Sequence, residues 1–361
     1  GSESSPFCRI FTKGTILSLQ TLRTLRLALG ITAAVAVSYG IGWPLAYVMP
    51  ILAVLFLAIP VWITWPAAVK ILLLLAVGLL IGVLISEFVL HFPLLCVPLY
   101  ALLFFMIYYT PGPDSSPLVP LFMTMGITLI PIIGFSGTLV SHLVAAALLF
   151  DMAMALFFAW LFHSLLPDSL AVKTAAAVDL SAPVKGVEVT EREKIRLALV
   201  STIVASTAVI IFFALNLGQY ALAMLYICIM AGTPDQNASV KFIKGSTLAT
   251  VIGGVAVIVA YNLLIVSPTY LFMVFLVLLF SLLFSERIYS DSPLAPAFQS
   301  GFTTFLVLLG SSTGGTDAAS SDFYLRIAQI LFAGLFTVLG LVVVEHLLRP
   351  RAKRSSTIPA G

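Results

Sequence analysis

The sequence predicts an all-α polytopic membrane protein. About twelve transmembrane helices are expected, as two parallel six-helix repeats related by a pseudo-twofold axis along the membrane normal. Three observations predict this. First, 61% of the 361 residues are hydrophobic and 9% are charged, with a mean hydropathy of +1.14, whereas a soluble chain carries about 25% charged residues. Second, the apolar residues fall into runs close to the roughly twenty residues that a helix needs to cross about 30 Å of hydrocarbon. Third, Ser116-Pro-Leu-Val-Pro-Leu-Phe122 recurs as Ser292-Pro-Leu-Ala-Pro-Ala-Phe298, and each copy opens an apolar run.

In the first half the expected spans are 22–42, 45–64, 68–87, 92–110, 117–136 and 139–165. In the second they are 195–214, 219–233, 243–263, 267–285, 294–311 and 324–348. The run 219–233 is short and ends in Gly232-Thr-Pro-Asp235. Pro60, Pro66, Pro131 and this segment are expected to break their helices, because proline lacks the backbone N–H that a helix uses. An even number of spans puts both termini on one side. All 18 basic residues except Arg326 then fall at the termini, in the middle linker or in even-numbered loops, which makes that side cytoplasmic. The expected organisation is a cytoplasmic segment 1–20, a first repeat 21–166, a cytoplasmic linker 167–194, a second repeat 195–350 and a cytoplasmic tail 351–361.

The internal likeness extends beyond the heptapeptide. Leu25-Arg-Leu-Ala-Leu29 matches Ile195-Arg-Leu-Ala-Leu199, Leu52-Ala53 matches Leu222-Ala223, Val69-Lys70 matches Val240-Lys241, and Ile81-Gly82 matches Ile252-Gly253. Units of six helices enter the membrane from the same side, as parallel repeats do.

Several classes are disfavoured. No GxxxxGK[ST] motif occurs, which argues against ATP-driven transport. Cys8, Cys96 and Cys228 lie far apart without a CxxC pair, so neither a disulfide framework nor a cysteine metal site is suggested. No cluster joins a nucleophile, a base and metal ligands, so an intramembrane enzyme, a metal or a cofactor is not expected, nor is a nucleic-acid partner.

Asp151 is the sharpest single signal, near the midpoint of 139–165. An ionised carboxylate at bilayer depth costs about 2.5–3.5 kcal/mol even on insertion scales, so it faces a bundle interior or a wet cavity. The functional reading is proton coupling. The bland one is a protonated acid bonded to a neighbouring helix. The internal alignment sets Ala333 or Gly334 opposite it, so the acid belongs to one half. His142 stands nine residues earlier, half a helical revolution away, and is read as an outer-interface residue. Glu345 is read as an interfacial anchor for Arg349.

Thr124 and Thr128 stack on one helix face and correspond to Ser300 and Thr304, with Gln299 widening the second stripe. Two such stripes facing each other would offer uncharged donors to a carboxylate or phenol. The bland reading is that the hydroxyls bond their own i−4 carbonyls. Thr233 and Asn237, in the break 233–237, lead into Lys241 and Lys244. With the equivalent pair Arg26 and Arg196, these form a candidate positive mouth for an anion. The bland reading for each cation is topology setting, and Trp43, Trp62, Trp65 and Trp160 read as interfacial belt residues.

Two six-helix units, Arg26 on the first helix before an apolar run, and Lys244-Gly245 leading the third helix of the second half resemble the fusaric acid resistance/aromatic acid exporter superfamily. The resemblance covers most of residues 20–350, and the compact form without large soluble domains resembles the shorter bacterial members. It implies inner-membrane efflux of aromatic carboxylic acids with a periplasmic membrane-fusion protein of the HlyD type. Plant malate channels look like relatives built from one such unit per subunit, and a homodimer of this chain stays open. The expected function is therefore a proton-coupled secondary exporter of aromatic acids or similar hydrophobic anions. The alternative is a passive organic-anion channel with no proton coupling.

Overall fold

The computed structural model describes residues 19–59, 63–89, 92–109, 118–135, 137–167, 191–215, 217–232, 236–290, 292–313 and 319–348. Among these the regular structure is helical. Each expected apolar run contains one α-helix: α1 Leu19–Gly40, α2 Val48–Leu57, α3 Trp65–Leu84, α4 Pro93–Tyr109, α5 Leu118–Gly134, α6 Thr138–Leu165, α7 Glu191–Ala214, α8 Ala221–Ala231, α9 Gln236–Val266, α10 Tyr270–Ile288, α11 Ala295–Thr313 and α12 Ala319–Leu348. A π-helical turn, Ile85–Val89, continues α3. Among the described residues, five helices are long and apolar enough to cross a membrane alone: α1, α3 with its π turn, α6, α7 and α10.

The runs 45–64 and 219–233 are not full-length helices. Only 10 residues of the first and 11 of the second are α-helical, about 15 Å of rise, or half the hydrocarbon thickness. The flanks explain this. Before α2 the chain turns sharply, with Gly42 and Leu45 both at φ 63°, and in the sequence Pro60 comes three residues after Leu57. Gly232-Thr-Pro-Asp235 follows α8. The end of α1 is set by local chemistry. Gly42 N–H bonds the Tyr39 carbonyl at 3.1 Å, and Trp43 N–H reaches back to Ser38 at 3.0 Å. This pair of bonds around a left-handed glycine is a Schellman cap, and Pro44 prevents any continuation.

The chain folds as two compact units, and neither is one half of the sequence. The first is 1–73, 143–181 and 244–327; the second is 74–142, 182–243 and 328–361. In the first unit α1 packs on α2 and α10, and α11 packs on the same two helices. In the second, α7 packs on α8 and α4, and α5 packs on those two. The two sets of packings coincide when α1, α2, α10 and α11 correspond to α7, α8, α4 and α5. Division by contact therefore cuts across the segments 21–166 and 195–350 delimited by the internal alignment.

The short helices are central to these packings. Seven of the ten residues of α2 are buried. In the second unit Met224, Ile227 and Cys228 of α8 are fully buried against Phe104, Phe212 and their neighbours. The first unit is filled by rings, with Phe280 against Phe305 at 4.9 Å and Phe284 against Phe302 at 5.2 Å. Glycines permit the closest crossings. Gly82 of α3 meets the backbone of Gly126 on α5, and Gly253 of α9 meets that of Gly301 on α11, the small-residue contact by which membrane helices approach one another.

Candidate functional site

Asp151 sits at the middle of α6 and is 0% exposed. Its polar neighbour is the Trp43 indole, carried there by the Schellman cap that ends α1. The indole ring packs on Phe150 with centroids 4.4 Å apart. Although Trp43 Nε1 is close enough to bond the carboxyl, the bond lacks full geometry, and both carboxyl oxygens and Nε1 are buried without a completed hydrogen bond. A buried acid left in this state needs a proton, a water or a bound donor to satisfy it.

A second arrangement is built on the ends of the short helices. In the first unit the Tyr289 hydroxyl, just past α10, donates to the carbonyls of Leu57 at 3.0 Å and Ala58 at 3.3 Å. In the second unit the Tyr108 hydroxyl, near the end of α4, donates to the Cys228 carbonyl at 2.7 Å. Ala58 and Cys228 are equivalent in the internal alignment. A helix ending inside a bundle leaves its last carbonyls without intrahelical donors, and in both units a phenol from the same kind of helix supplies one. Arg26, 0% exposed, lies beside the Tyr289 phenol within hydrogen-bonding reach. Burial pushes that phenol above its ordinary range while the guanidinium opposes it, so the phenol keeps its proton and remains a donor.

Residues 23–157 match the model of a family described as a protein of unknown function (DUF2955). Neither a curated protein nor a solved structure matches the chain. The matched stretch runs from α1 into α6 and holds Arg26, Trp43, Thr124, Thr128 and Asp151.

The remaining sequence candidates are spread over both units. In the second, Thr124 and Thr128 are buried, and Thr128 donates to the Thr124 carbonyl at 2.7 Å. Thr124 is also within bonding reach of Tyr108. In the first, Thr304 donates to the Ser300 carbonyl at 3.0 Å and Thr303 to that of Gln299 at 3.2 Å. The protons of Thr128, Thr303 and Thr304 are thus committed to their own helices, and the oxygens keep lone pairs for a donor. Arg196 differs from its equivalent Arg26: it pairs with Glu193 at 3.0 Å and is partly exposed. Asn237, Lys241 and Lys244 lie on α9, but their side chains, Thr233 and the Glu345–Arg349 pairing fall outside the described residues.

One further group escaped the sequence reading. The π turn presents Glu87 to His142 at 3.4 Å, and beside it Ser86 donates to Ser141 at 3.4 Å. His142 Nδ1 faces the Thr138 carbonyl at 2.8 Å. Nδ1 therefore carries the proton in the neutral ring, and Nε2 can donate to Glu87 only when the ring is doubly protonated.

Proposed function

We propose that the protein is a secondary exporter of hydrophobic organic acids, driven by protons moving inward through Asp151. The observation that carries the reading is this carboxyl, fully buried in a membrane-length apolar helix with neither oxygen completing a hydrogen bond. Intramembrane acids of this kind mark proton and ion pathways. Asp151 takes a proton from the outer side and releases it to the inner side as the organic anion leaves. Arg26, Arg196, Lys241 and Lys244 draw the carboxylate in from the cytoplasm. Thr128 in the second unit and Thr304 in the first, whose protons are bonded within their own helices, offer oxygens that accept only from a protonated acid.

The finer architecture belongs to the same proposal: twelve spans in two parallel six-helix repeats, in a bacterial inner membrane, with both termini cytoplasmic. The coincident helix packings of the two units support a duplicated module. The resemblance to the aromatic acid exporters supports aromatic carboxylates as the substrate class and a HlyD-type periplasmic protein as partner. The test uses purified protein in vesicles loaded with an aromatic carboxylate under an imposed pH gradient. Asp151→Asn is expected to abolish pH-driven export while the variant still elutes and melts as a folded protein. Undiminished pH-driven export by Asp151→Asn overturns the coupling. A current set by the anion gradient alone, in parent and variant alike, identifies a passive channel instead.

A further inference from the structure

Trp43 and Asp151 are two buried polar groups that face each other, each without a completed hydrogen bond. Among the described residues, no charged group is recorded against the carboxyl; the indole is its polar neighbour. The indole is held from three directions. Gly42 at φ 63° turns the chain, the Trp43 backbone N–H bonds Ser38 at 3.0 Å, and the ring rests on Phe150.

We propose that Trp43 is the positioning residue of Asp151, closing its Nε1–H onto the ionised carboxylate and loosening when the acid takes up a proton. This rests on the reading of Asp151 as the proton-coupling acid. An indole N–H only donates, and a bond to an ionised acceptor is roughly twice as strong as one to a neutral acceptor. Proton uptake on one carboxyl oxygen therefore weakens the contact by about half, while the indole keeps its own hydrogen. Because Trp43 is bonded into the cap of α1, the protonation state of α6 is passed to the turn that leads into α2. The internal alignment supports the pairing. At the offset of 170 that matches Arg26 to Arg196, Trp43 falls on Phe213, which has no N–H, whereas Asp151 meets Ala333 or Gly334 only where the offset has grown to 182 or 183. Neither an acid nor an indole stands at those positions.

The experiment uses a chain in which Trp62→Phe, Trp65→Phe and Trp160→Phe leave Trp43 as the sole indole, in lipid nanodiscs. Trp65 and Trp160 are exposed, so their replacement is mild. Its emission, followed from about pH 5 to pH 9, is expected to titrate with a single midpoint and to become flat on adding Asp151→Asn. In vesicles, Trp43→Phe keeps the ring on Phe150, and the pH of half-maximal export should move upward by about one unit, the size of a lost charge-assisted bond. Flat emission in the sole-indole chain, a titration that survives Asp151→Asn, or an unmoved export profile in Trp43→Phe overturns the proposal. Should the sole-indole chain fail to fold, the difference in emission between the parent and Asp151→Asn reads the same titration. A clear titration without pH-driven export leaves the pair standing and removes the transport reading; export with flat emission removes the pair alone.

Discussion

Gly126→Ala tests the crossing of α3 and α5. A Cβ built at Gly126 would lie 2.6 Å from the Leu79 backbone nitrogen and closer still to the Gly78 carbonyl. An ordinary contact needs 3.4 Å or more, so the helices must part by at least 3.4 minus 2.6, or 0.8 Å. Every atom met is backbone, so no side chain can swing away. The steric cost belongs at the upper end of the about 1–3 kcal/mol seen on overpacking, and alanine's better helix propensity returns about 1 kcal/mol. A net loss of about 2 kcal/mol follows, or roughly 4–8 °C in melting temperature. Gly301→Ala is the control, since its Cβ would meet the Ala249 carbonyl oxygen at 3.1 Å and the Ile252 side chain at 3.4 Å. Both variants are melted in detergent by tryptophan fluorescence and by loss of monodisperse elution. Gly126→Ala melting at or above the parent, or above Gly301→Ala, would refute the reasoning.

Tyr108→Phe and Tyr289→Phe should each cost about 0.5–1.5 kcal/mol, the worth of one hydrogen bond between membrane helices. The bonds lie in separate compact units, so the double variant should lose the sum, as independent sites do; a strongly non-additive melt would show that the two ends communicate. Glu87→Gln should change stability by less than about 0.5 kcal/mol, because Glu87 and His142 are 37% and 48% exposed and exposed pairs are worth little. Equal melts of Glu87→Gln and parent at acid and neutral pH are the expected result.

Much of this was legible in the residues. The twelve apolar runs each hold a helix because burial of apolar side chains follows hydropathy directly. Asp151 stood out because a lone carboxyl in a run such as Leu148-Leu-Phe-Asp-Met-Ala-Met154 has no solvated explanation. Its partner did not stand out. A tryptophan after a helix end is ordinarily a belt residue, and only the left-handed turn at Gly42 carries Trp43 back onto α6. The shortness of α8 shows in its run 219–233, but hydropathy did not reveal the half-length of α2, since a buried short helix is as apolar as a spanning one. The tyrosines were hidden by unequal loops. Tyr108 stands eight residues before Ser116 and Tyr289 three before Ser292, so an alignment anchored on the heptapeptide separates residues that do the same work.

The mixed membership of the compact units also dictates an order of assembly. The Tyr270 hydroxyl bonds the Ala36 carbonyl across 234 residues of sequence, whereas Tyr108 reaches Cys228 across 120. At about 5–20 residues per second of synthesis, α1 must wait roughly 10–50 s beside the translocon or a chaperone before α10 emerges to cover it. During that interval its buried arginine, Arg26, lacks the Tyr289 phenol that follows α10. A ribosome stalled before residue 270 would leave the second unit able to gather α4, α5, α7 and α8 while the first stayed unfinished, an obvious substrate for membrane quality control.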